Sequence, residues 1–176
     1  MGGGPSAHAK GGRRIAPPLE RGLGYLALDP DETVPAFLRT LAGNRTRFLW
    51  MTTTRPASVP DGGDLLEVTT VHRGIGTVDP RRLQELQVVA TTFLDEHGPG
   101  ALVVDCLEPL ILHGGIERVL RFIDDLHEQI AMRHAFLVVF ARARGLSRRM
   151  IAWLERELDP LPQDVAPTGV QDRLVA

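Results

Sequence analysis

The residues of this chain best suited to chemistry stand in one short stretch: Asp105, Cys106, Glu108 and His113. Asp105 closes the apolar run Ala101-Leu102-Val103-Val104. A hydrophobic strand ending in a carboxylate can hold the water shell of a magnesium ion facing a phosphate, and a second carboxylate three residues on, Glu108, could polarise a water. The plainer reading is that Asp105 hydrogen-bonds amides of the loop that follows, as strand-end aspartates often do. Asp105, Glu108 and His113 are therefore candidate ligand-binding residues, and no residue is assigned a catalytic role.

What is missing nearby limits the chemistry. A phosphate loop needs glycines whose backbone amides cradle the phosphates, then a lysine and a hydroxyl residue opening a helix. The nearest glycine pair, Gly74-Ile75-Gly76-Thr77, has no lysine and reads as a turn. Of the 20 cationic side chains only Lys10 is a lysine, and it precedes the folded part, so no lysine is expected there as phosphate clamp or Schiff base. ATP hydrolysis is not expected. His72, His97, His113, His127 and His134 show no metal-ligand spacing; His127 and His134 would share a helix face only if that helix ran past Arg133. Cys106, at the end of a buried strand, reads as a small apolar filler. Neither a metal nor a cofactor is expected.

Arg142, Arg144, Arg148 and Arg149 cluster at one junction, and Arg13, Arg14 and Arg21 precede the domain. The first four are candidate interaction residues, able to meet a phosphate group or an acidic partner; a solvated face is the plain alternative. Aromatic residues make up 5% of the chain and none is interleaved with these arginines, so the stacking element of single-strand nucleic-acid binding is absent. With a formal net charge of -2 and a pI near 6.3, no global field draws the protein to nucleic acid or to an anionic membrane.

The elements that must position these residues alternate in type. Residues 1–22, rich in Gly, Pro and Arg, read as a disordered leader. Tyr25 to Leu28 is a short buried strand. Thr33 to Leu41 has helical spacing, with Pro35 in its first turn and a left-handed stop at Gly43-Asn44. Phe48 to Met51 is a second strand, residues 52–63 a long loop, and Leu65 to Val71 a third strand. Asp79 stands where a cap belongs and Pro80 at a first helical position, ahead of Leu83, Leu86, Ala90, Phe93 and Leu94 on one face. Gly98-Pro99-Gly100 ends that helix. Ala101 to Asp105 has the continuous apolar character of a strand covered on both sides and is the best candidate for the central one. A loop with Gly114 and Gly115 precedes an amphipathic helix from Ile116 to Arg133, Ala135 to Ala141 is another apolar strand, and Ser147 caps a last helix to Leu158, stopped by Pro160 and Pro162.

Strand-helix alternation of this length predicts right-handed crossovers and an α/β three-layer sandwich around a mostly parallel sheet. A ligand in such a sheet sits beyond the strands' carboxyl ends, where Asp105 and Glu108 fall. At 176 residues and 43% hydrophobic content, one domain, residues 23–159, is expected, followed by a flexible tail over 160–176. The lone cysteine and the lack of an apolar run near 20 residues predict a cytoplasmic protein without membrane insertion.

The segments GYLAL (Gly24 to Leu28), VDP (Val78 to Pro80), ALVVDCLEPLI (Ala101 to Ile111), GIERVLRFI (Gly115 to Ile123) and LERELD (Leu154 to Asp159) resemble, in order, the domain of unknown function 835 family. Members show a leucine-valine run and aspartate, then a Gly-Leu-Glu-Tyr-Leu stretch, then a helix reading Phe-Glu-Arg-Val-Leu-Arg-Phe. Here Cys106 stands for the usual glycine and Pro109 for the aromatic residue. The resemblance implies a RecA-like or KaiC-like core lacking the Walker A loop, often attached to signal-transduction modules. The expected function is a non-catalytic regulatory or signalling interaction module, with a protein partner or self-association; the alternative is a small-molecule or nucleotide sensor that binds at the Asp105 end without hydrolysis.

Overall fold

The apolar runs become parallel strands. A computed structural model describes residues 19–71 and 73–162. Its strands are β1 (Gly24–Leu28), β2 (Phe48–Thr52), β3 (Gly63–Val68), β4 (Thr77–Val78), β5 (Ala101–Val104), β6 (Phe136–Ala141) and β7 (Asp159–Pro160). They form one seven-stranded sheet in the order β4-β3-β2-β5-β6-β1-β7, with every pairing parallel. The Ala101 run is indeed the central strand.

The helices are α1 (Val34–Gly43), α2 (Leu83–His97), α3 (Leu107–Gly114), α4 (Ile116–Arg133) and α5 (Arg148–Glu157). Side chains of a strand alternate between faces, and the core divides accordingly. On one face Leu26, Leu49, Leu102, Val104, Leu137 and Val139 pack beneath buried residues of α2, α3, α4 and α5. On the other, Tyr25, Phe48, Trp50, Val103, Phe136 and Phe140 pack beneath α1, helped by Val59 from the β2–β3 connection. The second face is lined with aromatic rings, and Phe37 of α1 meets Phe140 edge-on, with centroids 5.4 Å apart. The expected α/β sandwich with a mostly parallel sheet is the architecture observed.

Some local readings change. The stretch after Asp105, expected to be a loop, is helix α3; Pro109 is its third residue, where a missing N–H costs the helix nothing. Asp79 does not cap α2: its carboxylate accepts from the Arg81 N–H at 2.9 Å and its carbonyl from the Arg82 N–H at 2.9 Å. That is a separate turn, and α2 starts after it, at Leu83. The left-handed residue after α1 is Arg45, with φ 56°, rather than Gly43 or Asn44. Ser147 caps α5 as expected, accepting from Met150 N–H, and Thr33 caps α1, accepting from Ala36 N–H.

Residues 19–22, assigned by the sequence to the leader, pack on the domain. The Glu20 N–H donates to the Tyr25 hydroxyl at 2.6 Å, and the Gly22 N–H to the Ala135 carbonyl at 2.7 Å. At the other end the Leu161 N–H donates to the Leu26 carbonyl at 2.8 Å. Lys10, Arg13, Arg14, His72 and the tail from residue 163 lie outside the described residues. Among the described residues no helix is long and apolar enough to cross a membrane.

Candidate functional site

The carboxyl ends of the strands make one rim, and the connections leave it towards different faces. From β1 and β2 the chain passes to the α1 face; from β5 and β6 it passes to the face of α3, α4 and α5. Neighbours that diverge leave a crevice between them. Two such places exist here, β2/β5 and β1/β6.

Asp105 stands at the β2/β5 crevice, its N–H donating to the Met51 carbonyl at 3.1 Å. The register pairs Met51 with Val104, so the next residues along, Thr52 and Asp105, are neighbours. Asp105 does not bond the amides of the following loop. Its Oδ1 is buried without a hydrogen bond, and so is Nε1 of Trp50, two residues before Thr52 on the same strand face. Burial pushes the Asp105 carboxyl above its ordinary value; the Thr52 hydroxyl and the Trp50 indole N–H oppose that, and the charge of Glu108 adds to it. The indole is thus near enough to favour the carboxylate without completing a hydrogen bond to it. Thr52 is 1% exposed, and its hydroxyl accepts from the Thr54 N–H at 3.1 Å, tying the start of the β2–β3 loop to this spot.

The expected trio only partly converges. Glu108, in the first turn of α3, is part-buried and close enough for its charge to act on Asp105 and Cys106. It rests against Gly145 of the short 3-10 turn Ala143–Gly145: a Cβ on Gly145 would lie 2.7 Å from Oε1 of Glu108. His113 is exposed in the last turn of α3. Five residues of helix separate it from Glu108, roughly 140° of rotation and about 7.5 Å of rise, so it turns away from the pair. Cys106 is fully buried in the core, and burial, with the Asp105 charge, raises its thiol far above the ordinary value. The thiolate needed for attack is disfavoured there.

The other sequence candidates scatter. His97 joins Arg47 and Asp64 at the opposite end of the sheet, with Nε2 3.5 Å and the Arg47 guanidinium 3.4 Å from the same Asp64 oxygen. His127 packs beside Gly24. His134 is the left-handed residue ending α4. Arg21 lies over the Phe136 ring at 5.5 Å, far from Arg142. Among the described residues no group of three or more His, Cys, Asp and Glu side chains is placed to hold a metal ion. Gly74-Ile75-Gly76-Thr77 is a turn leading into β4, closed by the Thr77 hydroxyl, which donates to the Gly74 carbonyl at 2.9 Å.

The β1/β6 crevice carries a feature the sequence did not flag. The β1–α1 connection reads Asp29-Pro30-Asp31-Glu32-Thr33. Asp29 takes a left-handed φ of 46°, its N–H donates to the Ala141 carbonyl at 2.9 Å, and its Oδ1 accepts from the Ala143 N–H at 3.1 Å. The carboxylate thus laces the two connections together. Next to it Arg142, Arg144, Arg148 and Arg149 are all exposed, and none of their side chains is hydrogen-bonded or ion-paired to a described residue. Only pairing register and crevice geometry reveal Trp50, Thr52 and Asp29 as members of these sites; in sequence they read as a strand residue, the first residue of a long loop and a turn.

A crystal structure of a KaiC-like protein from the hyperthermophilic archaeon Pyrococcus horikoshii OT3 is similar to this chain with a TM-score of 0.53 and 13% identity, covering 74% of this chain and 68% of that one. At that identity the likeness establishes the fold, a RecA/KaiC-like α/β core. No curated protein matches significantly. The sequence profile of the protein family of unknown function DUF835 matches residues 28–158, as the ordered motifs of the chain led us to expect, and the chain belongs to that family.

Proposed function

We propose that this chain is a non-catalytic regulatory interaction module of the cytoplasm, built on a nucleotide-binding fold and working through its surface. The observation that carries this reading is the β1–α1 connection. A phosphate-binding turn between strand and helix presents free backbone amides and a lysine to the anion. Here Asp29, Asp31 and Glu32 occupy the turn, and Asp29 spans the opening by bonding the Ala143 N–H. Three carboxylates repel a triphosphate, and glycines and lysine are absent from that turn. The exposed arginines beside it supply a surface for a partner.

Isothermal calorimetry with MgATP should give no heat of binding, and stoichiometric binding overturns the reading. Complementation of a deletion strain separates surface from pocket. Asp105→Asn should restore function, whereas the paired change Arg148→Glu with Arg149→Glu should not.

A second reading has its own support. The unpaired indole N–H of Trp50 and Oδ1 of Asp105 offer a donor and an acceptor to a small molecule at the β2/β5 crevice. Such a sensor would bind without hydrolysis. A thermal-shift screen against nucleotides and cyclic dinucleotides, followed through Trp50 fluorescence, tests it: no stabilisation by any of them removes it.

A further inference from the structure

The rim of this molecule carries opposite charges side by side. Asp31 and Glu32 lie in the connection from β1 to α1, on one side of the sheet. Arg142 and Arg144 lie in the connection from β6 to α5, and Arg148 and Arg149 open α5, on the other side. Because β1 and β6 are neighbouring parallel strands, both groups project from the same edge, and the Asp29–Ala143 bond fixes one against the other. All six side chains are exposed. Among the described residues no ion pair joins the two groups, and Arg39 is the cation acting on Glu32.

A surface with a positive half and a negative half is complementary to itself. A two-fold axis lying in the interface along the boundary between the halves sets the arginines of one copy over the carboxylates of the other, twice, in an isologous contact. We infer that this rim is where two copies of the chain dock face to face, Arg142, Arg144, Arg148 and Arg149 of each meeting Asp31 and Glu32 of the other. The inference rests on the interaction-module reading above. Nucleic acid or another uniform polyanion fits less well, because the acidic turn directly beside the arginines repels it. Exposed ion pairs add little affinity, but complementary patches set orientation, partner choice and association rate. The charges therefore specify the pairing, and its strength depends on salt.

Sedimentation equilibrium on the full chain tests this, with far-UV circular dichroism to verify folding. The native chain should be a dimer that weakens by about tenfold or more from about 0.01 M to about 1 M NaCl, as the screening length falls from about 30 to about 3 Å. Asp31→Arg with Glu32→Arg should be monomeric, and so should Arg148→Glu with Arg149→Glu; the latter adds acids to the first turn of α5, where the helix dipole favours them. Mixed in equal amounts, the two variants should recover a dimer containing one of each. If either reversed chain fails to fold, Arg148→Gln with Arg149→Gln takes its place and should weaken the dimer by about tenfold or more. A native chain monomeric at about 1 mM in low salt, dimers indifferent to both reversals, a mixture that stays monomeric, or a single-stranded oligonucleotide that outcompetes self-association each overturns the inference. Calorimetry with MgATP on the same samples keeps the two readings apart: nucleotide binding sinks the interaction module itself, whereas a charge-insensitive dimer sinks only this surface.

Discussion

The indole N–H of Trp50 and the Oδ1 of Asp105 are both buried, both without a hydrogen bond, and near enough that the indole favours the ionised carboxyl. A buried donor and a buried acceptor left without hydrogen bonds are costly. The cost falls on the charged form of Asp105, and that makes it measurable.

Burial holds the Asp105 proton to a higher pH in the folded chain than in the unfolded one. The sign follows: the folded state binds more protons across that interval, so stability falls as pH rises from the ordinary carboxylate range through the raised value, and returns as pH drops. Asp105→Asn removes this slope. It should be more stable than the native chain by on the order of 1 kcal/mol at about pH 8, with the advantage gone near about pH 4. Urea titrations at both pH values decide it, and an Asn variant less stable at the higher pH would show that the carboxylate is favourably held.

Glu108 and Gly145 are coupled sterically. An alanine at position 145 places its Cβ 2.7 Å from Oε1 and 2.8 Å from Cγ of Glu108, so the carboxylate arm must swing away. Gly145→Ala should cost about 1 kcal/mol, and Glu108→Ala should relieve most of that cost. A double-mutant cycle with additive effects would refute the contact.

Gly63 opens β3 where the ring of Phe48 crosses it. A Cβ there would lie 2.3 Å from two ring carbons, and Phe48 is fully buried, leaving the ring nowhere to go. Gly63→Ala should destabilise by about 2–3 kcal/mol; Gly43→Ala, with open space around it, should be within about 0.5 kcal/mol of the native chain or slightly more stable. Thermal melts of the pair make the comparison.

Ser147 caps α5 through a 3.2 Å bond from the Met150 N–H. Ser147→Ala should lose about 1 kcal/mol, and Ser147→Asp should retain most of the native stability. Equal losses in both would mean that the hydroxyl contributes through something other than the cap.

The strands and long helices were legible because their apolar residues repeat at the right period: Val119, Ile123, Leu126 and Ile130 mark the buried stripe of α4, and Ala101 to Val104 is apolar on both faces because both are covered. Helix α3 escaped because eight residues holding Pro109 and ending in Gly114 look like a loop until α4 and the sheet cover Leu107 and Leu110. Asp79 misled because its local turn satisfied the carboxylate before α2 began. The site was half legible. Asp105 and Glu108 announced themselves by position, but Trp50 and Thr52 became their neighbours through the β2–β5 register, and no local pattern encodes register between strands roughly fifty residues apart in sequence.

The sheet's two coverings are unequal. Four helices shield the aliphatic side, whereas α1 and loops alone shield the aromatic one. Partial opening should therefore begin where the lid is thinnest: amides of α1 should exchange with deuterium well before those of α4. Lifting that lid would bare Phe48, Trp50, Phe136 and Phe140, so the first excursion from the native state would expose the stickiest surface this chain possesses.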